Sequence, residues 1–371
     1  MRWFNSANGL TVMKKKLLSM LCKVLLFACF LSIFSSCSMY LRRDYRFWRL
    51  RSNQLIFEED TYTSDGMVVV GECSFLPIIR IPSHVYYDGK KYTVTKIADN
   101  AFKNEANLKR IFIPKSVKDI GCNAFYGSGI YNNEKNWKNN ALYISKNLIA
   151  VHKSAEGTYE VAEDTRVIAS QAFANCNFEK VVIPASVSHI NTEAFENCRL
   201  LQEVVMHEGL LEIEEEAFRD CHSLTSVIIP KSVNLIRDRA FYDCTSLESI
   251  VLSPSITHVP VSCFHGCISL KSIEIPNNVK WISEYAFSDC KSLEKIVLPR
   301  SLKVIDAYAF SDSKSLKTIV CHAMTPPEDK LWMCHNVSKS RIKLYVPAQA
   351  IPKYKDTYSW RQFGKILPIE E

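Results

Sequence analysis

Glycine is scarce, with 11 in 371 residues, and none of the 11 forms a Walker loop or the Gly-rich turn of a dinucleotide-binding fold. The chain therefore lacks the backbone cradles that hold nucleotide phosphates. The H-E-x-x-H pair of zinc hydrolases and the G-x-S-x-G elbow of serine hydrolases are missing too. No enzyme class and no cofactor is implied. Apolar residues are not lacking: 47% of the chain is hydrophobic and 23% charged, which is enough for a large core and argues against disorder.

A useful excess of charge is also absent. The formal net charge is +7, but it is concentrated at the amino end. Lys14, Lys15 and Lys16 precede an apolar run from Leu17 to Phe34 that ends in "FSSC", the order of a secretory signal, with Met13 as an alternative start. Lys23 interrupts the run and the small Ser35 and Ser36 directly precede Cys37. The pattern resembles a bacterial lipobox, in which cleavage leaves the cysteine as a lipid-bearing amino terminus. Plain secretion and a retained spanning helix are the alternatives. On this reading residues 1–36 are a signal peptide, Cys37 is lipidated and anchors the chain to a membrane, and residues 37–55 are a tether. The implied location is the bacterial cell envelope at the outer membrane, with surface or periplasmic exposure open. The basic run "RRDYRFWRLR" touches anionic head groups or is a solvated tether. Removing Arg2, Lys14, Lys15, Lys16 and Lys23 leaves 41 basic against 39 acidic residues, so no nucleic-acid partner is implied.

What the chain has instead is a repeat. An Ala-Phe phrase places Phe at 102, 125, 173, 195, 218, 241, 264, 287 and 310, and the last five intervals are each 23 residues. The longest gap, from Phe125 to Phe173, holds a hairpin-like "ALYISKNLIAV". Written from its cysteine, one coil reads C-x-x-L-x-x-V-x-I-P-x-x-V-x-x-I-x-x-x-A-F, as in Cys221 to Phe241. Val227 and Ile229 alternate with Ser226 and Ile228, the period of a short strand. Pro230 has no N–H for a ladder and ends it. Eight apolar positions per coil cannot close a core alone, so the coils must stack into a solenoid in which equivalent side chains form columns.

The phrase resembles the BspA-like branch of leucine-rich repeats over about residues 78 to 322. The resemblance implies a β-rich solenoid, a leucine-rich-repeat superhelix of 23-residue coils with short strands and one-turn helices, capped at both ends. It also implies a surface or periplasmic protein, in some cases an adhesin for host matrix proteins, and no catalytic residues. Residues 56–100 form an N-terminal cap and a first irregular coil, opened by a hairpin with Asp88-Gly89 at its turn. Residues 101–322 are the repeats, with an insertion at 126–158. Residues 323–371 are a C-terminal cap, where Tyr354, Trp360 and Phe363 suit the covering of the last coil.

The cysteine column, Cys176, Cys198, Cys221, Cys244, Cys267 and Cys290, is the conspicuous chemical feature. Neighbours lie within the Cα range of a disulfide, and export favours pairing, but stacked side chains point the same way. A column does not converge as zinc ligands do, so no metal site is expected. Packing as small buried hydrophobes is the preferred reading; Ser313, Ser128 and Glu105 take the same slot in irregular coils, and the serine at 313 suits packing better than ligation. In "CFHGC", Cys263 takes the inward Ala place and His265 falls at a turn, so no activated Cys/His pair is expected. Glu58-Glu59 and the "EIEEEAF" run read as solvated charge.

The residue between the two inward aliphatics of each first strand faces outward. Across the coils it is Phe112, Val182, Val205, Ile228, Val251, Glu274, Val297 and Val320. Strand propensity alone accounts for β-branched residues there. The functional reading is a contact strip for a macromolecule, broken once by Glu274. The flanking column, from Lys109 and Glu179 to Glu294 and Lys317, mixes both signs. That mixture points to a protein partner first and a glycan second, ahead of a polyanion. The sequence therefore reads as a non-enzymatic exported repeat protein that binds or adheres through its sheet, with a carbohydrate-binding or envelope-assembly component as the alternative. A site in the insertion or closing segment is the remote enzymatic reading.

Overall fold

The structure, a computed structural model, describes residues 50–52, 55–60, 66–71, 76–330 and 332–370. The signal segment, Cys37 and most of the tether lie outside the described residues. Among the described residues no helix is long and apolar enough to cross a membrane.

Each coil contributes two short strands. In the coil that begins at Cys221 they are Ser226–Ile228 and Leu235–Ile236, the first ending at Pro230 and the second at the V-x-x-I pair. Equivalent strands stack parallel and in register, so that Val227 faces Ile250 and Ile228 faces Val251, while Glu212 faces Leu235. The first sheet runs from Glu156–Glu160 to Ser249–Val251 and resumes from Ser272–Glu274 to Lys365–Pro368. The second runs from Asn147–Val151 to Leu235–Ile236 and resumes from His258–Val259 to Glu328–Asp329.

Both interruptions flank the coil from Cys244 to Gly266, and Pro260 explains one of them. At its place in other coils an N–H donates to the coil before, as Arg237 does to the Ile213 carbonyl (2.9 Å) and Ser283 to Val259 (3.0 Å). Proline cannot make that bond.

A third wall closes each coil. The one-turn helices of the expectation take the form of successive i→i+3 turns, such as Arg219 N–H to the Glu216 carbonyl (3.1 Å). Two residues per coil are left-handed: the one before Ala, such as Glu216 (φ 56°), and the one before Cys, such as Asp220 (φ 58°). Asn, Asp or Gly fills the second place in coil after coil, Gly266 (φ 72°) included, because these residues tolerate that region. The alternation aims three N–H groups at the next coil: Glu216 to the Asp238 carbonyl (3.0 Å), Phe218 to Ala240 (2.8 Å) and Asp220 to Tyr242 (2.9 Å). The turns are thus hydrogen-bonded from coil to coil, as the sheets are.

Inside, the Phe column forms a continuous stack from Phe173 to Phe310, with ring centroids 4.6 to 5.8 Å apart and planes within 12°. The cysteines lie beside it, buried, and from Cys198 to Cys290 each thiol of the column donates to the carbonyl of the Phe one coil back, while Cys176 has the Val151 carbonyl as its partner. Cys221 reaches Phe195 (3.2 Å), Cys244 reaches Phe218 (3.2 Å) and Cys290 reaches Phe264 (3.1 Å). Ser313 makes the same bond to Phe287 at 2.7 Å. All ten cysteines among the described residues are unpaired. The column is therefore packing plus a weak inter-coil hydrogen bond.

The core falls into two clusters that meet at the insertion. There Ala141–Ile144 and Asn147–Val151 form an antiparallel hairpin, and its second strand joins the second sheet beside Val167–Ile168. Upstream, Asp88 (φ 47°) and Gly89 (φ 71°) turn the His84–Tyr87/Lys90–Ile97 hairpin, a two-residue turn with both φ positive. At the other end Tyr354 and Trp360 are fully buried. Their polar tips bond the Ala323 and Pro327 carbonyls, each at 2.9 Å, so the cap closes the stack without orphaned polar atoms on its two largest rings.

In protein unfolded without reductant, a thiol titration is expected to find all ten of these sulfurs free, and a wholesale shortfall would refute the packing role. Cys244→Ser is expected to cost less stability in urea unfolding than Cys244→Ala. The hydroxyl keeps the bond to Phe218 that Ser313 shows to be makeable, whereas Ala loses the bond and leaves a small void, about 1–2 kcal/mol together.

Candidate interaction surfaces

The first sheet carries the outward column on its solvent side. Val182 lies opposite Val205, Ile228 opposite Val251, and Glu274, Val297, Val320, Tyr345 and Leu367 follow in register. Exposure peaks in the middle, at 69% for Ile228 and 58% for Val251, while Val182, Val205, Val297 and Val320 are half-buried. Phe112 stands apart. Among the described residues its strand, Arg110–Phe112, pairs only with Ile78–Arg80, and the Arg80 guanidinium lies 3.8 Å from the ring centroid. Tyr345 and Leu367, which sequence reasoning missed, lengthen the column at the other end. Their signal was the "IKLYVP" and "KILP" phrases, which keep the strand pattern after the cysteine phrase has ended.

The charged flank is largely self-neutralised. Lys180 pairs with Glu203 (2.9 Å), Lys271 with Glu248 (2.6 Å) and Lys317 with Glu294 (2.7 Å), each between adjacent coils. Such exposed pairs contribute little stability, about 0–1 kcal/mol. Their effect is to leave the apolar column without a strong field of either sign along most of its length.

A second feature is a polar cleft of about 340 Å³ lined by residues that include Asp60, Lys96, Asp119, His189, Asn191, Glu212, Glu214 and Arg237. Here the second sheet meets the N-terminal sheet, and buried Asn191 bridges them by accepting from the Ile120 N–H and donating to the Lys118 carbonyl, both at 3.0 Å. Lys96 pairs with Asp119 (2.6 Å) and Arg237 with Glu214 (3.2 Å). His189 is buried, and burial lowers its pKa. The acidic run read as solvated charge is thus drawn partly inward. Burial first, then the Asp119 and Glu212 charges, outweigh Arg237 and raise the Glu214 carboxyl to about 7. Glu216 is buried, held by Arg219 (2.7 Å) and Arg239 (3.2 Å). The strand period could not show this, because the cleft depends on the neighbouring N-terminal sheet.

The thiols do not form a reactive site. Burial pushes Cys176 and the half-buried Cys122 up to about 12 and the inner cysteines higher still, away from the thiolate that attack requires. His265 stacks on Tyr242, with centroids 4.7 Å apart. No group of three or more His, Cys, Asp or Glu among the described residues is placed to hold a metal ion.

A family model described as BspA type leucine-rich repeat region, in six copies, matches residues 89–201, 166–279 and 234–342. Among solved structures the chain is similar to a leucine-rich cell surface protein of Faecalibacterium prausnitzii, at 22% identity over 74% of this chain and 94% of that one, with a TM-score of 0.33. A leucine-rich repeat protein of Bacteroides ovatus matches at 21% identity over 86% and 100%, with a TM-score of 0.29. The leucine-rich repeat protein of T. pallidum matches at 22% over 66% and 91%, with a TM-score of 0.31. No curated protein sequence matches the chain.

Glu214 generates a pH prediction. Its folded pKa of about 7 lies above the ordinary 4.5, so the folded state holds the extra proton and stability falls as pH rises from 4.5 to 7. Glu214→Gln is expected to raise stability above pH 7 by roughly 1–2 kcal/mol and to change little below pH 4.5. Urea unfolding at both pH values checks the sign.

Proposed function

The chain belongs to the BspA-type leucine-rich-repeat family, and from that membership we propose a non-enzymatic, exported protein of the bacterial cell envelope that binds a protein partner along its first sheet. Lipid on Cys37 anchors it at the outer membrane in this reading, with residues 37–55 as the tether. A cell-surface role accords with the name of the Faecalibacterium relative.

One observation carries the binding proposal: the apolar column of Val182, Val205, Ile228, Val251, Val297 and Val320, prolonged by Tyr345 and Leu367, is solvent-facing and flanked by charges that pair with one another. A partner meeting it gains apolar burial at about 25 cal/mol per Å² while breaking few solvated ions. Binding would be spread over many coils, with Ile228 and Val251 at its centre because they expose the most area. Half-buried Phe112, covered by Arg80 and cut off by the insertion, is peripheral to this surface.

The test uses residues 38 to 371 in a pull-down against a panel of purified host matrix proteins. The double change Ile228→Asp with Val251→Asp is expected to lower capture at least tenfold and to leave the thermal unfolding midpoint nearly unchanged, since both side chains point to solvent. Undiminished capture by this variant would sink the strip as the binding surface.

A further inference from the structure

On the second sheet the coil after the one that interrupts both sheets pairs with it in register, His258 opposite Trp281 and Val259 opposite Ile282. This following coil carries two aromatic residues, both exposed. Trp281 stands in the second strand, between His258 of the coil before and Val304 of the coil after. Val304 is covered, at 7% exposure, whereas Trp281 itself is 48% exposed. On the His258 side lies an open cleft of about 430 Å³ lined by Thr257, His258, Lys280, Trp281 and Ser283, within the size range of about 300–1,000 Å³ for ligand pockets.

Tyr285 repeats the arrangement one corner further on. One face of its ring stacks on Tyr308 of the following coil, with centroids 5.0 Å apart and planes within 4°. The equivalent residue of the preceding coil is Ser262, whose side chain is too short to cover the other face. Tyr285 is also left-handed, at φ 56°, a conformation that costs a bulky residue about 1–2 kcal/mol. Asn100 and Asn123 hold the same place in earlier coils, so the fold itself does not call for an aromatic ring there. Trp281 thus lines the cleft, and Tyr285 is stacked on one face by Tyr308.

The polar groups around the rings narrow the ligand. Four of the five cleft residues carry hydroxyl, imidazole or ammonium groups. Burial lowers the pKa of His258, so at neutral pH its ring offers one donor and one acceptor. Lys280 is the cation of the lining, and near His258 the opposite charges of Asp238 and Arg237 offset each other. A flat apolar face ringed by hydroxyl, imidazole and ammonium groups is complementary to a pyranose, which has a C–H face and a rim of hydroxyls.

We propose that the cleft beside Trp281, between these coils, is a saccharide-binding site that takes a neutral pyranose unit of a glycan. The C–H face of the sugar lies on Trp281, its hydroxyls meet Thr257, His258, Lys280 and Ser283, and Tyr285 supports an adjoining unit. The site lies on the other sheet from the apolar column and is independent of it.

The experiment screens residues 38 to 371 on an array of neutral oligosaccharides and polysaccharides that also carries sialylated and sulfated controls. The best neutral oligosaccharide is then titrated by calorimetry. Capture of at least one neutral glycan is expected, with affinity at least tenfold weaker in Trp281→Ala, restored largely in Trp281→Phe, and severalfold weaker in Tyr285→Ala. The Ile228→Asp, Val251→Asp variant should bind the glycan as the unaltered chain does. The proposal is overturned if no neutral glycan binds, if Trp281→Ala binds as well as the parent, or if only the anionic controls bind and 0.5 M salt abolishes that binding. Circular dichroism of each variant separates loss of the site from loss of the fold.

Discussion

Everything in this molecule depends on bonding between equivalent positions of successive coils. A coil has too few apolar residues to shield its own backbone, so its N–H and C=O groups must find partners one period away. They do so on both strand ladders and across the turns, where Glu216, Phe218 and Asp220 all donate to the next coil. The cysteine column is a fourth such line, from sulfur to Phe carbonyl. Left-handed backbone at Glu216 or Arg239 is tolerated because it is the geometry that aims those N–H groups along the stack. Its cost, of order 1–3 kcal/mol per residue, is set against three inter-coil hydrogen bonds.

This dependence makes the repeat conservative on the inside and free on the outside. Inward columns of Leu, Ile, Phe and Cys must match in size from coil to coil, or the stack splays. Outward positions have no such partner, and there composition drifts from valine to glutamate, tyrosine and tryptophan. Departures from regularity are therefore places where recognition can be built. The coil from Cys244 to Gly266 is one: Pro260 removes a ladder donor, Ser262 is short, and the next coil's two rings are exposed. The insertion is another, for it parts Phe112 from the rest of the apolar column.

The columns themselves were legible in the sequence because a fixed period assigns each residue to one. Phe218, Cys221, Leu224 and Val227 all take the inward places that the 23-residue period predicts, and Pro230 ends its strand. Relations between columns were not legible. Nothing in the period tells that Glu214 shares a cleft with Asp119, since the two are brought together by the irregular junction of the N-terminal sheet with the second sheet. Nor does it tell that the Asn or Asp before each cysteine is there for a left-handed backbone, although the restriction to Asn, Asp and Gly was visible. Tyr345 and Leu367 escaped because the cysteine phrase ended while the strand phrase continued.

The two outer faces differ in what they can recognise, and the difference follows from strand length and side-chain type. The first sheet presents a line of aliphatic side chains at about 4.8 Å intervals, with little net charge, which suits an extended protein surface better than a sugar. The second sheet has two-residue strands, so each corner comes within reach of the next outward residue, and aromatic and hydroxyl groups converge over a short distance. On the two proposals, one wall would take a protein and a cleft on the other a sugar. Neither site constrains the other, because the core between them is fixed by the columns alone.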